Sequence, residues 1–238
     1  NSYPIYIGNK LFKENLCTKH IAGNSMMLIS NTTVAPLYLD KFTQAIKLEK
    51  TSQCLLQDGE QYKNLKSLEK IIAELLEHRF DRNTTLAALG GGVVGDICGF
   101  AAASFQRGVN FIQIPTTLLA MVDSSVGGKT AINTNFGKNL VGSFYQPKGV
   151  LIDVKTLKTL EHREIVAGFC EAIKQGAIGD RDLFNKTSDF LETYKLSSLV
   201  DSFEIADFIK QLSDLITAQI NFKSQIVMQD ERESSERE

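Results

Sequence analysis

The spacing of apolar and polar residues changes in a regular order along the chain. "YPIYIG" near the N-terminus and "MMLIS" (Met26–Ser30) are short apolar runs bounded by polar residues, and each reads as a strand. "VAPLYLDKFTQAIKLE" reads as a helix and "SQCLLQ" as another short apolar run. In "EQYKNLKSLEKIIAELLEHRF" the residues Leu65, Leu68, Ile71, Ile72 and Leu75 fall on one helical stripe. "TTLAAL", a glycine turn, the small-residue helical run "GDICGFAAASF" and the apolar "NFIQIP" come next, and "GVLID" (Gly149–Asp153) closes the series. Strands alternating with helices predict a mostly parallel sheet with helices on both faces.

Beyond Asp153 the character changes. From about Thr156 to Phe222 the patterns are helical, in "LEHREIVAGFCEAIKQGAI", "DLFNKTSDFLETY" and "EIADFIKQLSDLITAQINFKSQIV", and no strand-like alternation returns. The expected organisation is an α/β domain over residues 1–154 and an all-helical domain over residues 155–238. No internal repeat is visible. The final "QDERESSERE" reads, from composition alone, as a frayed tail.

Composition narrows the function classes. The 238 residues are 43% hydrophobic and 23% charged, ordinary globular values, and the formal net charge is −2. Basic residues are dispersed, so neither a nucleic-acid nor a membrane partner is expected. No apolar run approaches the ~18 residues of a membrane span, and "NSYPIYIGNK" does not read as a signal peptide. The absent initiator Met is expected to reflect a processed or trimmed start. Cys17, Cys54, Cys98 and Cys170 lie far apart without a CxxC. With only His20, His78 and His162 beside them, no Cys/His zinc cluster is expected. Reduced thiols in a cytoplasmic protein are the simplest reading.

The candidate chemistry begins in "LGGGVVGDICG" (Leu89–Gly99), where Gly90, Gly92 and Gly95 stand at GxGxxG spacing between an apolar run and a helical one. Such glycines make the turn, let a phosphate approach the backbone, and let helix and sheet pack closely. The helix N-terminus then offers free N–H groups to a diphosphate. Asp96, read as lying in the first helical turn, would cap those groups or bond a ligand hydroxyl. The acid that a dinucleotide fold places roughly 20 residues later is missing, since the next carboxylate after Asp96 is Asp123. The adenosine end is therefore expected elsewhere, with "QDGEQYK" (Gln57–Lys63), at a strand-to-helix junction, as the candidate. The plainer alternative is a glycine-rich structural turn.

Two further segments stand out. Ile114–Asn139 reads as a long polar loop holding Thr116, Thr117, Asp123, Lys129, Lys138 and Asn139 among glycines. A compact domain seldom keeps such a loop without a function, and its lysines suit an anionic substrate; alone, each lysine is ordinary solvated surface. "GFCEAIKQG" sets Glu171 and Lys174 on one helix face. Glu171, flanked by apolar residues, needs a lysine, an arginine or a metal ion as partner. An intrahelical ion pair with Lys174 is the simple option.

Taken together, "SNTTVAPLYLDKF", "DGEQYK", "LGGGVVGDICGFAAASFQRG", "IPTTLLAMVDSSVGGKTAINTNFGKNLVGSFYQP", "EIVAGFCEAIKQGAI" and "DERESSER" resemble the 3-dehydroquinate synthase family, in order and over nearly the whole chain. The resemblance implies an α/β NAD-binding domain followed by a helical domain, with the active site between them. It assigns the adenosine end of NAD to Asp58, Gly59, Glu60, Gln61, Tyr62 and Lys63. The diphosphate and nicotinamide fall to Gly91, Gly92, Val93, Val94, Gly95, Asp96, Thr116 and Thr117. Asn31 and Thr156, Leu157, Lys158 and Thr159 are further cofactor candidates, and Asp123, Lys129 and Lys138 serve cofactor as well as substrate.

The activity implied is conversion of the seven-carbon acid phosphate DAHP to 3-dehydroquinate with release of phosphate, a step of the shikimate route to aromatic amino acids. Bound NAD⁺ transiently oxidises a ring hydroxyl, and zinc, or another divalent metal such as cobalt, polarises it. Asp123, Lys129, Lys138, Asn139, Lys174, Lys223 and Arg237 match substrate positions. Arg107 matches an arginine that reaches a phosphate across a homodimer interface, and Glu171 matches the first metal ligand. The family's two other ligands are histidines beyond the equivalent of "ERE", so the resemblance implies that this polypeptide alone is inactive or nearly so. Rival readings are a related sugar-phosphate cyclase, a more remote glycerol-dehydrogenase-like enzyme, and a non-catalytic NAD-binding module dimerising through its first domain.

Overall fold

The computed structural model of the chain describes residues 2–13 and 16–230. Its α/β part is built from β1 (Ile5–Gly8), β2 (Ser25–Asn31), α1 (Ala35–Thr43), β3 (Lys50–Leu56), α2 (Leu65–Glu77), β4 (Thr85–Gly90), α3 (Gly92–Ser104) and β5 (Asn110–Pro115). A hairpin of β6 (Lys129–Thr134) and β7 (Gly137–Phe144) follows, and then β8 (Val150–Asp153). Among the described residues every later element is helical: a 3-10 turn at Val154–Thr159, α4 (His162–Gly179), α5 (Arg181–Thr193), a 3-10 stretch at Leu196–Glu204 and α6 (Ala206–Gln229).

Six strands form one sheet in the order β1-β8-β5-β4-β2-β3, and every pairing in it is parallel. The register runs from Ser25 against Lys50 and Met26 against Thr85 to Thr85 against Asn110 and Gln113 against Val150. β4 and β8 are buried throughout their length, as parallel strands covered on both faces must be. β3, at the sheet edge, alternates instead. One face carries α2 and α3, with Ile71, Leu75, Ile97 and Cys98 against Met27, Ile29, Leu86 and Phe111. The other carries α1, with Tyr38 and Phe42 against Leu28, Leu89 and Ile112. The later helices close on Val150 and Ile152 of β8 through Phe169, Phe208, Leu212 and Ile216. Phe190, Phe203 and Tyr194 gather around Phe208 with ring centroids 4.9–5.7 Å apart, the range in which aromatic pairs add to plain burial.

The structure departs from the sequence expectations in four places. The α1 helix stops at Thr43 rather than running on through "QAIKLE": the Thr43 hydroxyl turns back onto the Leu39 and Asp40 carbonyls, and Ile46 drops into the core. Glu60–Tyr62 is a separate 3-10 turn. α2 starts only after Asn64, whose side chain accepts from the Ser67 N–H at 3.1 Å. Leu65, expected on the buried stripe, is the first helical residue and stays 65% exposed.

The largest departure is Ile114–Asn139, which is no loop. It completes β5, makes a π-helical turn at Ala120–Ser124, and enters the antiparallel β6–β7 hairpin, with Lys129 facing Phe144 and Ile132 facing Val141. Gly127 and Gly128, at φ 104° and 66°, make the turn into β6, whereas Gly142 of β7 serves close approach, since a Cβ there would run into the Thr130 carbonyl oxygen. In α3, a Cβ on Gly99 would lie 2.3 Å from Thr130 Cγ2, so the hairpin rests directly on that helix.

Candidate functional site

All six parallel strands end at one edge of the sheet, where open α/β sheets bind ligands. Most of the residues singled out in the sequence leave from that edge. Asn31 ends β2, Asp58–Lys63 follow β3, Gly91–Asp96 follow β4, Thr116 and Thr117 follow β5, and Thr156–Thr159 follow β8.

Backbone lies open at the β4–α3 turn. Gly91 is the N-cap of α3 and, among the described residues, no side chain caps the helix, so its first N–H groups face the edge. A Cβ on Gly91 would lie 2.9 Å from Thr117 Cγ2, and one on Gly92 2.9 Å from Ser124 Oγ. Thr116 donates its N–H to the Gly90 carbonyl at 3.0 Å, yet among the described residues its buried Oγ1 has no hydrogen-bond partner. An uncapped helix N-terminus, glycines that a side chain would obstruct and an orphaned hydroxyl fit an anionic group such as a diphosphate. Val93 and Val94 belong to the first turn of α3, Val94 with its side chain in the core.

Asp96 is not the cap expected of it. It is the fifth residue of α3 and takes the Lys63 ammonium at 2.5 Å. Burial pushes its carboxyl up to about 6, outweighing the pull of Lys63, and the charges of Glu60 and Asp123 push the same way. Lys63 is itself buried and also donates to Asn139 Oδ1 at 2.6 Å.

The turn after β3 is braced on both sides. Asp58 accepts from Asn31 Nδ2 at 2.6 Å and from Thr33 Oγ1 at 2.8 Å, while Asn31 Oδ1 takes the Val34 N–H. Gly59 sits at φ 119°, open to glycine and strained for other residues. Glu60 accepts from Asn133 Nδ2 at 2.8 Å; Gln61 and Tyr62 lie exposed beside it.

The π turn carries Asp123, whose carboxylate meets Lys223 of α6 at 2.8 Å. Gln175 of α4 donates to the Val122 carbonyl at 3.3 Å, tying α4 to the same turn. Also on α4, Glu171 and Lys174 form the simple ion pair, 2.7 Å apart, with the carboxylate the better buried partner. Among the described residues no group of three or more His, Cys, Asp or Glu is placed to hold a metal ion. Lys129 and Lys138 are exposed on the hairpin, Lys138 beside Asn139 near its tip.

Thr156 and Thr159 join an elongated groove of about 580 Å³ along α1, where Tyr38 donates its hydroxyl to the Thr156 carbonyl at 2.9 Å. Two cofactor candidates in this stretch have other occupations. The Leu157 side chain is buried in the helical core, and Lys158, on the groove rim, pairs with Glu204 at 2.6 Å. Arg107 is not brought to the edge, because α3 runs away from it and delivers Arg107 just before β5 begins, at the opposite side of the sheet. Arg237 lies outside the described residues.

Four residues of this site were not singled out in the sequence: Thr33, Ser124, Asn133 and Gln175. Asn133 had one readable signal, the alternation in "KTAIN" that marks β6. The partnerships of Thr33 and Gln175 are tertiary and leave no local pattern.

A description of the 3-dehydroquinate synthase N-terminal region matches residues 53–167. The 3-dehydroquinate synthase of Ruthia magnifica subsp. Calyptogena magnifica is 52% identical over 237 residues, covering 99% of this chain and 63% of the relative. That of Nitrosococcus oceani is 49% identical over 237 residues, with the same coverage. Among solved structures, 2-deoxy-scyllo-inosose synthase complexed with carbaglucose-6-phosphate, NAD+ and Co2+ matches with TM-score 0.82 at 27% identity, covering 98% of this chain and 61% of that one. A 2-epi-5-epi-valiolone synthase from Streptomyces hygroscopicus, solved with NAD+ and Zn2+, shares the fold with TM-score 0.86 at 24% identity, over 99% of this chain and 64% of that one. The glycerol dehydrogenase of Schizosaccharomyces pombe, at 19% identity and TM-score 0.69 over 94% of this chain and 61% of that one, shares the fold more distantly. The chain thus spans about 63% of the length of the relatives it matches, and within that span it is similar to 3-dehydroquinate synthases.

Proposed function

We propose that the protein to which this chain belongs is a 3-dehydroquinate synthase, converting DAHP to 3-dehydroquinate with elimination of phosphate. This chain would supply its NAD site and one side of its substrate site. The observation that carries the reading is the meeting of "DGEQYK", "GGVVGD" and "TT" at one sheet edge, with uncapped backbone and the orphaned Thr116 hydroxyl between them. Relatives named 3-dehydroquinate synthase at about half identity support it. So does the NAD+ held by a cyclase of the same fold.

In this reading NAD supplies reversible hydride transfer, and a divalent metal such as zinc or cobalt supplies Lewis-acid polarisation. The N-terminus of α3 and Thr116–Thr117 bind the diphosphate. Asp58 and Glu60 accept from adenosine-end hydroxyls, and Asn31, Thr156 and Thr159 bound the space beyond. Lys129, Lys138, Lys174 and Lys223, with Arg237, meet the carboxylate and phosphate of the substrate, while Asn139 and Asp123 orient its hydroxyls. Glu171 is the one metal ligand assigned in this chain. The described residues alone do not complete a metal set.

The same reading takes the end of β8 as the close of the cofactor domain, with the helical domain starting near residue 155. It also takes the working state as a homodimer. β7 has an open edge and exposes Phe136 (94%), Leu140, Val141 and Phe144, and Arg107 reaches a substrate only from a second copy. Burial raises the pKa of the Cys17, Cys54 and Cys98 thiols, keeping them protonated, in keeping with a cytoplasmic enzyme.

A second reading, a cyclase for a different sugar phosphate, is favoured by the likeness to 2-deoxy-scyllo-inosose synthase. Incubating the full-length protein with NAD⁺, zinc and DAHP, and in parallel with other sugar phosphates, separates the two. Phosphate and dehydroquinate in equal amounts from DAHP alone bear out the proposal. Cyclisation of another substrate favours the second reading, and NAD binding without any turnover favours a non-catalytic module.

A further inference from the structure

The adenosine turn and the hairpin tip are joined by one side chain that neither the glycine turn nor the lysines account for. Asn133, on β6, donates through Nδ2 to Glu60 Oε1 at 2.8 Å, with a longer 3.5 Å approach to the Glu60 carbonyl. Its Oδ1 accepts the Asn139 N–H at 3.0 Å. Because a backbone N–H can only meet an acceptor, that contact fixes which end of the amide faces which segment. The Asn133 N–H also docks on the Lys63 carbonyl at 2.7 Å. Lys63 closes the circuit by donating to Asn139 Oδ1 and Asp96. Asn139 itself sits at φ 58°, a left-handed conformation that needs such local bonds to hold it.

We propose that Asn133 is a positioning residue that sets Glu60 for the cofactor and Asn139 for the substrate through the two ends of a single amide. Binding at one half of the site then depends on the other. This rests on the NAD reading above for its functional meaning, though the linkage is present in the chain itself. An amide is required here: it donates to a carboxylate on one side and accepts from an N–H on the other. No hydrocarbon does either, and a carboxylate does only the second.

The test compares Asn133→Ala and Asn133→Asp with the wild-type chain by amide exchange at residues 60–63 and at Asn139, and by NAD titration. Alanine loses both bonds and should speed exchange in both segments, by about tenfold, with protection in β4 unchanged. Aspartate keeps the acceptor for Asn139 but sets a carboxylate against Glu60, so it should release residues 60–63 and leave Asn139 protected. Both variants should weaken NAD binding by about tenfold, whereas an Asn133 that merely stabilised the hairpin would leave NAD affinity alone. Identical exchange patterns in the two variants, or NAD affinity within twofold of wild type in both, would overturn the proposal. A wild-type chain that fails to bind NAD counts against the functional reading instead, and the exchange pattern then decides the role of Asn133 alone.

Discussion

At Asp96 and Thr116 the structure holds two polar groups in environments that cost stability, and both costs are measurable. The Asp96 carboxyl, ordinarily near 3.8, is pushed up to about 6 by burial. Between those values the folded chain holds a proton that the unfolded chain has lost. The contribution of Asp96 to stability therefore falls as pH rises from about 4 to about 6 and is level above. Relative to Asp96→Asn, the wild-type chain should lose roughly 2–3 kcal/mol across that window, by urea unfolding at a series of pH values. A level profile across that window, with stability lost instead as pH falls below about 4, would show that Lys63 dominates. Thr116→Val removes a hydroxyl that bonds nothing among the described residues. Stability should stay level or gain up to about 1 kcal/mol while NAD affinity falls. Loss of stability with unchanged affinity would remove Thr116 from the site. The glycine turn was legible because its spacing is local. The partnership of Lys63 with Asp96 was not, because it joins residues 33 positions apart through the packing of α2 against α3.

At the scale of elements, the parallel strands were readable because burial on both faces makes them continuous apolar runs, as in β4 and β5. The β6–β7 hairpin was not. β7 is exposed on most positions and interrupted by glycines, so it lacks both the alternation and the apolar run that mark a strand. Its seating on α3 depends on Gly99. A Gly99→Ala substitution places a methyl against Thr130 and within 3.1 Å of Phe111. It should cost about 1–3 kcal/mol in urea unfolding and weaken the Lys63–Asn139 contact. An unchanged midpoint would mean that the hairpin is free to shift away.

The molecule as a whole brings most of the residues proposed for the cofactor to one edge of a single sheet, with helices packed on β8 beside it. Helical patterning beyond Asp153 was legible from sequence, whereas the joint core that β8 shares with α4 and α6 was not, being a tertiary outcome. The proposed dimer would pair two copies through β7. Leu140→Glu with Phe144→Glu puts charge on the exposed face of β7 and should convert a dimeric full-length protein to monomer by light scattering. Activity should fall with it, since Arg107 then has no partner site to enter. A dimer that survives both substitutions would exclude this face as its interface.

The most direct measurement is calorimetric titration of NAD⁺ into this chain and into Gly91→Val, whose side chain would enter the space beside Thr117. Saturable one-to-one binding by the wild-type chain is expected, with its loss in a variant that remains folded. No binding by the folded wild-type chain, or equal binding by the two, would contradict a dinucleotide site at the β4–α3 turn.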